Sequence, residues 1–262
     1  MISMKKNPLI FITNDDGPDT KGLETLITIV REITNKYLVV IPKENRSGYG
    51  HSITITKPIR LNKISSNFYH CDGTPTDCVM IGIYEILKNK KPDLLISGIN
   101  MGENLANDIT YSGTVCAALE GGLRNIKSMA LSKILPKNSS IDDWSSIDVY
   151  LKSIILSILN NKINKKHFFN VNFPNINHKK IIDIKITKLS NRKPMGKFLS
   201  KKDAKNIPYF WLTTDRYSPN IHEKDTDIWA IKNKFISISP LNTSMTEIKD
   251  LNFYKEQFDK NK

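Results

Sequence analysis

The feature that most constrains the fold is a short apolar run that ends at a turn and is followed by an amphipathic segment and a second apolar run. Residues 8–13 predict a buried first strand, which ends at an Asp-Asp-Gly turn signal. Residues 37–41 predict a second buried strand, closed by Pro42. Residues 22–34 predict a helix between them, because one face carries Leu23, Leu26, Ile27 and Val30. A strand, helix and strand in this order require a right-handed crossover, so we expect a parallel sheet.

The remainder of the chain continues this alternation and then becomes less regular. Apolar or alternating runs predict further strands over residues 52–56, 68–71, 93–97, 128–132, 168–173, 181–189 and 235–239. Helical patterns predict helices over residues 75–87, 112–123, 141–161 and 245–258. Ser244 is expected to cap the last helix. Residues 193–208 are polar and predict a loop or an arm.

Together these elements predict an α/β fold with a Rossmann-like, three-layer, mostly parallel sheet and a β-hairpin excursion. Residues from about 8 to 135 form the Rossmann-like half. Residues from about 136 to 262 predict a C-terminal half with strands, an oligomerisation arm that reaches a neighbouring subunit, and a terminal helix. A chain of 262 residues is long for one average domain and short for two, so we expect a single α/β domain over residues 1–262.

The charge of the chain favours anionic partners. The net charge is +13, from 39 Lys and Arg against 26 Asp and Glu, and a basic balance suits nucleotides, polyphosphate or nucleic acid. Much of the lysine, however, stands beside Asn and Ile, as in residues 160–166 and 201–206, which is typical of solvated lysine faces. Basic and aromatic residues do not alternate as they do in platforms for single strands. Small anions are therefore favoured, and no stable nucleic-acid partner is expected.

Cysteine usage and the N-terminal residues indicate the compartment. Three cysteines, Cys71, Cys78 and Cys116, give neither a disulfide framework nor zinc-type spacing. The latter two lie in apolar helical stretches and are expected to be buried. The apolar run at residues 9–12 is too short for the core of a signal peptide, and no apolar stretch is long enough to span a bilayer. These observations predict a cytoplasmic protein with no membrane partner.

Two adjacent carboxylates, Asp15 and Asp16, follow the first strand. Ligands of open α/β sheets bind at the carboxyl ends of the strands. Adjacent carboxylates repel each other unless a cation or a proton lies between them, so a metal ion is an economical explanation. An ordinary surface Asp-Asp-Gly turn is the alternative, and for this motif taken alone it is the more common one.

Two further polar turns are expected at the same sheet edge. Asn45-Arg46-Ser47-Gly48 follows the second strand, and Gly98-Ile99-Asn100 ends a later one. Carboxylate, amide and hydroxyl oxygens are hard ligands that suit Mg²⁺ or Mn²⁺. Turn chemistry alone also explains Ser47 and Asn100. No paired metal-site spacing is present among His51, His70, His167, His178 and His222.

The segment Tyr111-Ser112-Gly113-Thr114-Val115 opens a predicted helix. Free backbone N–H groups, the helix dipole and two hydroxyls at this point form a phosphate cradle, and Gly113 permits close approach. Helix caps use the same residues, so Ser-Gly-Thr is weak evidence alone. The segment lacks the Gly-Lys-Ser/Thr of a P-loop and the Gly-x-Gly-x-x-Gly of dinucleotide folds, which argues against an NTPase and a dinucleotide enzyme.

The ordered set of motifs resembles the SurE family of nucleotidases over nearly the whole chain. The matching segments are Asn14-Asp15-Asp16-Gly17, Asn45-Arg46-Ser47-Gly48, Gly73-Thr74-Pro75-Thr76-Asp77-Cys78, Ser97-Gly98-Ile99-Asn100-x-Gly102-x-Asn104, Tyr111-Ser112-Gly113-Thr114-Val115, Asn170-Val171-Asn172-Phe173-Pro174, Asp225-Thr226-Asp227 and Ser237-Ile238-Ser239-Pro240-Leu241. Each motif is modest alone, whereas the set in this order is specific.

The resemblance implies a metal-dependent 5′-nucleotidase that converts nucleoside monophosphates to nucleoside and phosphate, and that acts in addition on 3′-nucleotides and short polyphosphate. It implies one divalent ion per subunit, Mg²⁺ or Mn²⁺, and a homodimer or homotetramer formed through the C-terminal region. The implied metal ligands are Asp15, Asp16, Ser47 and Asn100, and the implied phosphate pocket comprises Asn104, Ser112, Gly113 and Thr114.

The mechanism expected from these residues is in-line attack by a water on the phosphoryl group. Asp16 is the acid expected to orient or deprotonate that water, with Asp15 and Asn104 as further catalytic residues. For Arg46 two roles are equally consistent with the sequence: it stabilises the phosphate, or it forms a surface salt bridge.

Two rival hypotheses remain open. A covalent aspartyl-phosphate route requires an Asp-x-Asp-x-Thr pattern, whereas the acid after Asp15 and Asp16 is Asp19. A non-catalytic binder of nucleotides or RNA would account for the basic charge but not for the paired carboxylates.

Overall fold

The computed structural model describes residues 7–136, 141–164, 167–192, 196–213 and 223–259. Its strands are β1 (Ile10–Thr13), β2 (Tyr37–Pro42), β3 (Leu61–Ser65), β4 (Phe68–Cys71), β5 (Leu94–Met101), β6 (Ser128–Lys133), β7 (His167–Phe173), β8 (Ile184–Ile186), β9 (Lys197–Lys202), β10 (Pro208–Thr213) and β11 (Ile236–Asn242). Its α-helices are α1 (Lys21–Arg31), α2 (Pro75–Ile81), α3 (Gly113–Leu123), α4 (Ser145–Asn160), α5 (Asp227–Lys232) and α6 (Leu251–Asp259). A π-helical turn, Gly82–Ile86, extends α2, and 3₁₀ turns occupy Ala106–Thr110 and His178–Lys180.

Nine strands form one mixed sheet in the order β3-β4-β2-β1-β5-β6-β7-β11-β8. The six strands from β4 to β7 are mutually parallel. Antiparallel pairs occur beyond them, where β3 pairs with β4 and β11 pairs with β7. The predicted mostly parallel α/β sheet is therefore confirmed.

Helices cover both faces of this sheet, because successive residues of its buried strands point in opposite directions. Ile10 and Ile12 of β1 pack in one apolar cluster with α1 and α4. Phe11, between them in sequence, belongs to a second cluster with residues of α2 and α3. The apolar runs of the parallel strands are thus buried on both sides, which gives the three layers that the sequence predicts.

The predicted strand at residues 52–56 is wrong. This segment is irregular, and the excursion is instead the β3–β4 hairpin that begins at Leu61. Thr54 donates from its backbone nitrogen and its hydroxyl to the two carboxylate oxygens of Asp77, at 3.1 and 2.6 Å. The carboxylate of Asp77 on α2 therefore accepts the backbone hydrogen bond that a neighbouring strand would accept if this segment were a strand.

Three further predictions in the C-terminal half require correction. Residues 193–208, predicted as a loop or an arm, are not an irregular loop, because they contain β9, which pairs with β10 in a separate antiparallel hairpin; the arm stays a prediction, and residues 193–195 lie outside the described part. The predicted strand over residues 181–189 is limited to β8. The last helix begins at Leu251 rather than near residue 245, because Ser244 accepts a hydrogen bond from the Thr246 N–H in a local turn instead of capping a helix.

Candidate active site

The carboxylate of Asp15 lies buried where β1 ends and α3 begins. The hydroxyl of Thr114 donates to Oδ1 of Asp15, and the Thr114 N–H donates to Oδ2 at 3.1 Å. Burial raises the pKa of Asp15 from an ordinary value of 3.8 to about 6, although the hydrogen bonds from Thr114 oppose this shift, and repulsion by Asp16 raises the pKa further. The ends of β1 and α3 are therefore joined through one carboxylate.

Asp16 is less deeply buried than Asp15 and lies against the end of β5. Its Oδ2 accepts a hydrogen bond from the Met101 N–H at 3.2 Å. Burial raises the pKa of Asp16 as well, while the bond from Met101 opposes the shift. The two carboxylates thus lie in surroundings that disfavour their charged forms, which is the electrostatic condition in which a cation is stabilising.

Asn100 lies beside Met101 after an irregularity in the pairing of β5 with β6 between Ser97 and Asn100. Its Nδ2 donates to the carbonyl of Gly102 at 3.0 Å, so this contact leaves Oδ1 as the oxygen that can bind a ligand. Helix α1 packs against the same irregularity at Gly22, where an added Cβ would lie 2.0 Å from the carbonyl oxygen of Ile99. Only glycine permits this approach, which fixes the backbone that carries Asn100.

The loop after β2 crosses the end of β1. Its Arg46 N–H donates to the carbonyl of Asp15 at 2.7 Å. Ser47 is exposed, and its N–H donates to Oδ1 of Asn45 at 2.9 Å, as in the turn chemistry expected there. The loop therefore brings Ser47 to the edge where both carboxylates lie.

The guanidinium of Arg46 pairs with Glu44 at 2.5 Å and donates to the hydroxyl of Tyr49 at 3.0 Å. The structure therefore contains the salt bridge that was one of the two roles considered for Arg46. The other role, contact of Arg46 with a phosphate, stays a prediction.

The three residues at the beginning of α3 that were predicted to bind phosphate have different contacts in the structure. Ser112 caps the helix, since its Oγ accepts from the Val115 N–H at 3.1 Å. Thr114 directs both of its donors to Asp15. Among the described residues, no acceptor contacts the Gly113 N–H, and an added Cβ at Gly113 would lie 2.9 Å from Cβ of Asp15. The donors left for an anion are therefore the Gly113 N–H and the Ser112 hydroxyl.

Asn104 is buried at the centre of a polar cluster that joins β5, β6 and β7. Its Nδ2 donates to Oγ of Ser132 at 2.8 Å, and its N–H donates to Oδ1 of Asn172 at 3.0 Å. Its carbonyl accepts from the side chains of Asn170 and Asn172 at 2.8 and 3.0 Å. Sequence reasoning assigned no role to Ser132 or to the two asparagines of β7, although the Asn-Val-Asn run was a signal that polar residues enter a buried strand.

The donor set fits a small, hard divalent cation. Within the described residues, no group of three or more His, Cys, Asp or Glu side chains could hold a metal. A metal here would therefore be bound by two carboxylates together with the neutral oxygens of Ser47 and Asn100, which is chemistry typical of Mg²⁺ or Mn²⁺ and not of zinc or copper. The raised pKa values of Asp15 and Asp16 add an electrostatic reason for a cation between them.

A separate groove of about 460 Å³ lies between α4 and the strands β7, β8 and β11. Its walls are mostly isoleucine, and none of the predicted site residues lines it. Across the described part of the chain, no helix is both long enough and apolar enough to cross a membrane.

Comparison with known proteins identifies the family. The model of the family described as survival protein SurE matches residues 10–195. The 5′-nucleotidase SurE of Aquifex aeolicus is 37% identical over 243 residues, which cover 92% of this chain and 95% of that protein. The protein of the same name from Paramagnetospirillum magneticum is 36% identical and covers 95% of each chain.

A solved structure agrees with these sequence matches. The crystal structure of the SurE protein from Aquifex aeolicus superposes with a TM-score of 0.81 at 36% identity, covering 95% of this chain and 99% of that one. Sequence, motifs and fold therefore agree that this chain belongs to the SurE family.

Proposed function

We propose that the chain is a metal-dependent 5′-nucleotidase that converts nucleoside 5′-monophosphates to nucleoside and phosphate. It is a phosphoric monoester hydrolase, as the names of its relatives indicate. The observation that supports this most is the pair of hydrogen bonds from Thr114 to Asp15, because they join the buried carboxylate of Asp15, next to that of Asp16, to the beginning of α3. Paired carboxylates beside a helix N-terminus suit a site that binds a cation and a phosphate together.

One divalent ion, Mg²⁺ or Mn²⁺, would be held by Asp15, Asp16, Ser47 and Asn100. When bound, such an ion polarises phosphoryl oxygens and lowers the pKa of a coordinated water. Buried Asp15 is kept in place by Thr114, and Asn100 by the contact of its amide with Gly102.

The phosphate would be bound by the Gly113 N–H and the Ser112 hydroxyl, which remain available at the beginning of α3. Asn104 has one amide hydrogen beyond the one it donates to Ser132, and this hydrogen would stabilise charge on a phosphoryl oxygen. Thr114 would act on the phosphate through Asp15 rather than directly, and Arg46 would supply long-range attraction. Asp16, the more accessible carboxylate, would orient the attacking water and accept its proton.

The test is release of phosphate from 5′- and 3′-nucleoside monophosphates and from short polyphosphate, with Mn²⁺, with Mg²⁺ and with EDTA. We expect release that requires metal and that falls at least about 100-fold in Asp16→Asn, as expected for loss of a general base. Asp19→Asn is the matched control, because Asp19 is exposed and lies in the same loop. Metal-independent release, or an Asp16→Asn variant as active as Asp19→Asn, would contradict the proposal.

A homodimer or homotetramer formed through the C-terminal region is the second part of the proposal. The β9–β10 hairpin projects large apolar side chains into solvent, with Phe198 66% and Trp211 66% exposed. No residue of α6 is buried, although Phe253 and Phe258 lie on it. Several large apolar side chains exposed on neighbouring elements of one region are typical of an interface.

Light scattering after size-exclusion chromatography tests the assembly. We expect a mass of two or four times 29.9 kDa that decreases when Phe210 and Trp211 are both changed to Ser. A Tyr84→Ser control removes another exposed aromatic, on the π-helical turn, and should leave the mass unchanged. A wild-type mass near 29.9 kDa would contradict the assembly.

We also propose that the whole chain is one domain that acts in the cytoplasm. Strands from both halves, β6 and β7, pair directly within the same sheet, which supports one domain. The three cysteines are buried and free, which supports a reducing compartment.

A further inference from the structure

Two exposed tyrosines border the candidate phosphate site. Tyr49 and Tyr111 are each 46% exposed. Tyr111 directly precedes Ser112, the cap of α3, and Tyr49 lies two residues after Ser47. Large aromatic side chains beside a polar site are a common means of binding the apolar part of a small ligand.

The segments that carry these tyrosines are held together through the backbone. The N–H of Gly50 donates to the carbonyl of Tyr111 at 3.1 Å. Gly50 has a φ of +55°, and an added Cβ would lie 3.1 Å from the carbonyl oxygen of Thr110. A glycine is therefore required both by the backbone conformation and by the close approach. The contact fixes the loop that follows β2 against the residues that precede α3.

The tyrosines differ in how firmly they are held. The hydroxyl of Tyr49 accepts from Nη1 of Arg46 at 3.0 Å, and the guanidinium carbon lies 5.2 Å from the centroid of the Tyr49 ring. Among the described residues, the Tyr111 side chain makes no hydrogen bond and no ring contact, yet it follows a 3₁₀ turn whose end fixes its backbone. One ring is thus held in advance, and the other can adjust to a ligand.

We propose that Tyr49 and Tyr111 bind the nucleobase of the substrate by stacking. This inference rests on the proposed function, because the two tyrosines border the beginning of α3, where that function places the phosphate of a nucleotide. Every base has an aromatic face, so stacking tolerates all of them, and purines bind more tightly than pyrimidines because their face is larger. Stacking on these two rings would distinguish nucleotides from phosphomonoesters without a base.

The first test compares kcat/KM for AMP with kcat/KM for ribose 5-phosphate, which has no base. We expect the ratio to fall about ten-fold or more in Tyr111→Ala and in Tyr49→Ala, in line with the effect of removing an aromatic partner from a stacked base. Tyr111→Phe and Tyr49→Phe keep a ring and should keep most of the ratio. Tyr84 is 48% exposed and lies on another element, so Tyr84→Ala should leave the ratio unchanged. A ratio within two-fold of wild type in both alanine variants would overturn the proposal.

The second test measures adenosine binding by calorimetry in EDTA and therefore does not depend on turnover. We expect Tyr111→Ala and Tyr49→Ala to bind adenosine at least five-fold more weakly than wild type does, whereas Tyr84→Ala binds it equally well. Equal binding by all three variants would overturn the stacking proposal. Loss of phosphate release from every nucleotide, with adenosine binding still sensitive to Tyr49 and Tyr111, would instead refute the proposed function and leave the base site standing.

Discussion

Replacing Asp15 by Asn should stabilise the metal-free protein at neutral pH while it abolishes metal binding. Burial raises the pKa of Asp15 from 3.8 to about 6. The folded state therefore binds the proton more tightly than the unfolded state, so the contribution of Asp15 to stability falls as the pH rises from about 4 to about 6. A shift of about two units corresponds to roughly 3 kcal/mol of destabilisation at pH 7.5.

The Asn side chain removes this charge but weakens the contacts with Thr114. The amide oxygen can accept from the Thr114 N–H, and the amide nitrogen can donate to the Thr114 hydroxyl, so both groups remain paired. The pKa of about 6 already includes the charge-assisted bonds from Thr114, because those bonds lower it, so they are not subtracted again. The expected gain is therefore about 3 kcal/mol, which for a chain of this length corresponds to a Tm increase of roughly 6–12 °C.

Thermal unfolding in EDTA, followed by circular dichroism from pH 4 to pH 8, measures this difference. We expect the Tm advantage of Asp15→Asn to be large at pH 7.5 and small near pH 4, with Asp19→Asn following wild type throughout. Added Mn²⁺ should reverse the order, because a ligand that binds only the folded state stabilises it by mass action and the variant lacks a ligand oxygen. A variant that is less stable than wild type in EDTA at pH 7.5, or a gap that does not change with pH, would refute the electrostatic reasoning.

Two further predictions concern the residues that hold this site. Thr114→Val removes the hydroxyl that donates to the buried carboxylate of Asp15 and should lower the free energy of unfolding, measured in urea, by about 1.5–3 kcal/mol. Thr114→Ser keeps the hydroxyl and should lower it by less than about 1 kcal/mol. Equal losses would contradict this, because they would show that the methyl group matters as much as the hydroxyl. Gly22→Ala places a methyl group 2.0 Å from the carbonyl oxygen of Ile99 and should lower the Tm in EDTA and weaken Mn²⁺ binding in calorimetry, because the backbone that carries Asn100 must shift; unchanged Mn²⁺ affinity would contradict that coupling.

The order of the elements could be predicted because the parallel strands are short apolar runs. Ile12 and Phe11 of β1 are both buried although they point to opposite faces of the sheet, so the apolar run itself marks the strand. Asp15 and Asp16 could be placed at the site for the same reason, since a turn after a buried strand lies at the sheet edge. The predicted cap of α3 at Ser112 is confirmed, because capping depends only on residues close in sequence.

The errors occur where a partner outside the segment, or a competing local turn, decides the structure. Residues 52–56 alternate as a strand does, but the backbone of Thr54 bonds to the side chain of Asp77, and no pattern within the segment contains that information. The β9–β10 hairpin arises in a polar stretch, and its exposed apolar residues are those that we propose to lie in an interface. Ser244 has the residue type of a cap and caps no helix.

The role of Thr114 shows most clearly why a motif does not fix the work of each of its residues. Ser-Gly-Thr predicts three groups that face an anion, yet Thr114 turns to a carboxylate 99 residues earlier in the chain. Because Asp15 is buried, it requires donors more than a solvent-exposed phosphate oxygen does, and Thr114 is close enough to supply two. The consequence is that α3 joins the proposed metal ligands to the proposed phosphate site through a single residue. Substitutions at Thr114 should therefore change the affinity for the metal more than they change the affinity for phosphate.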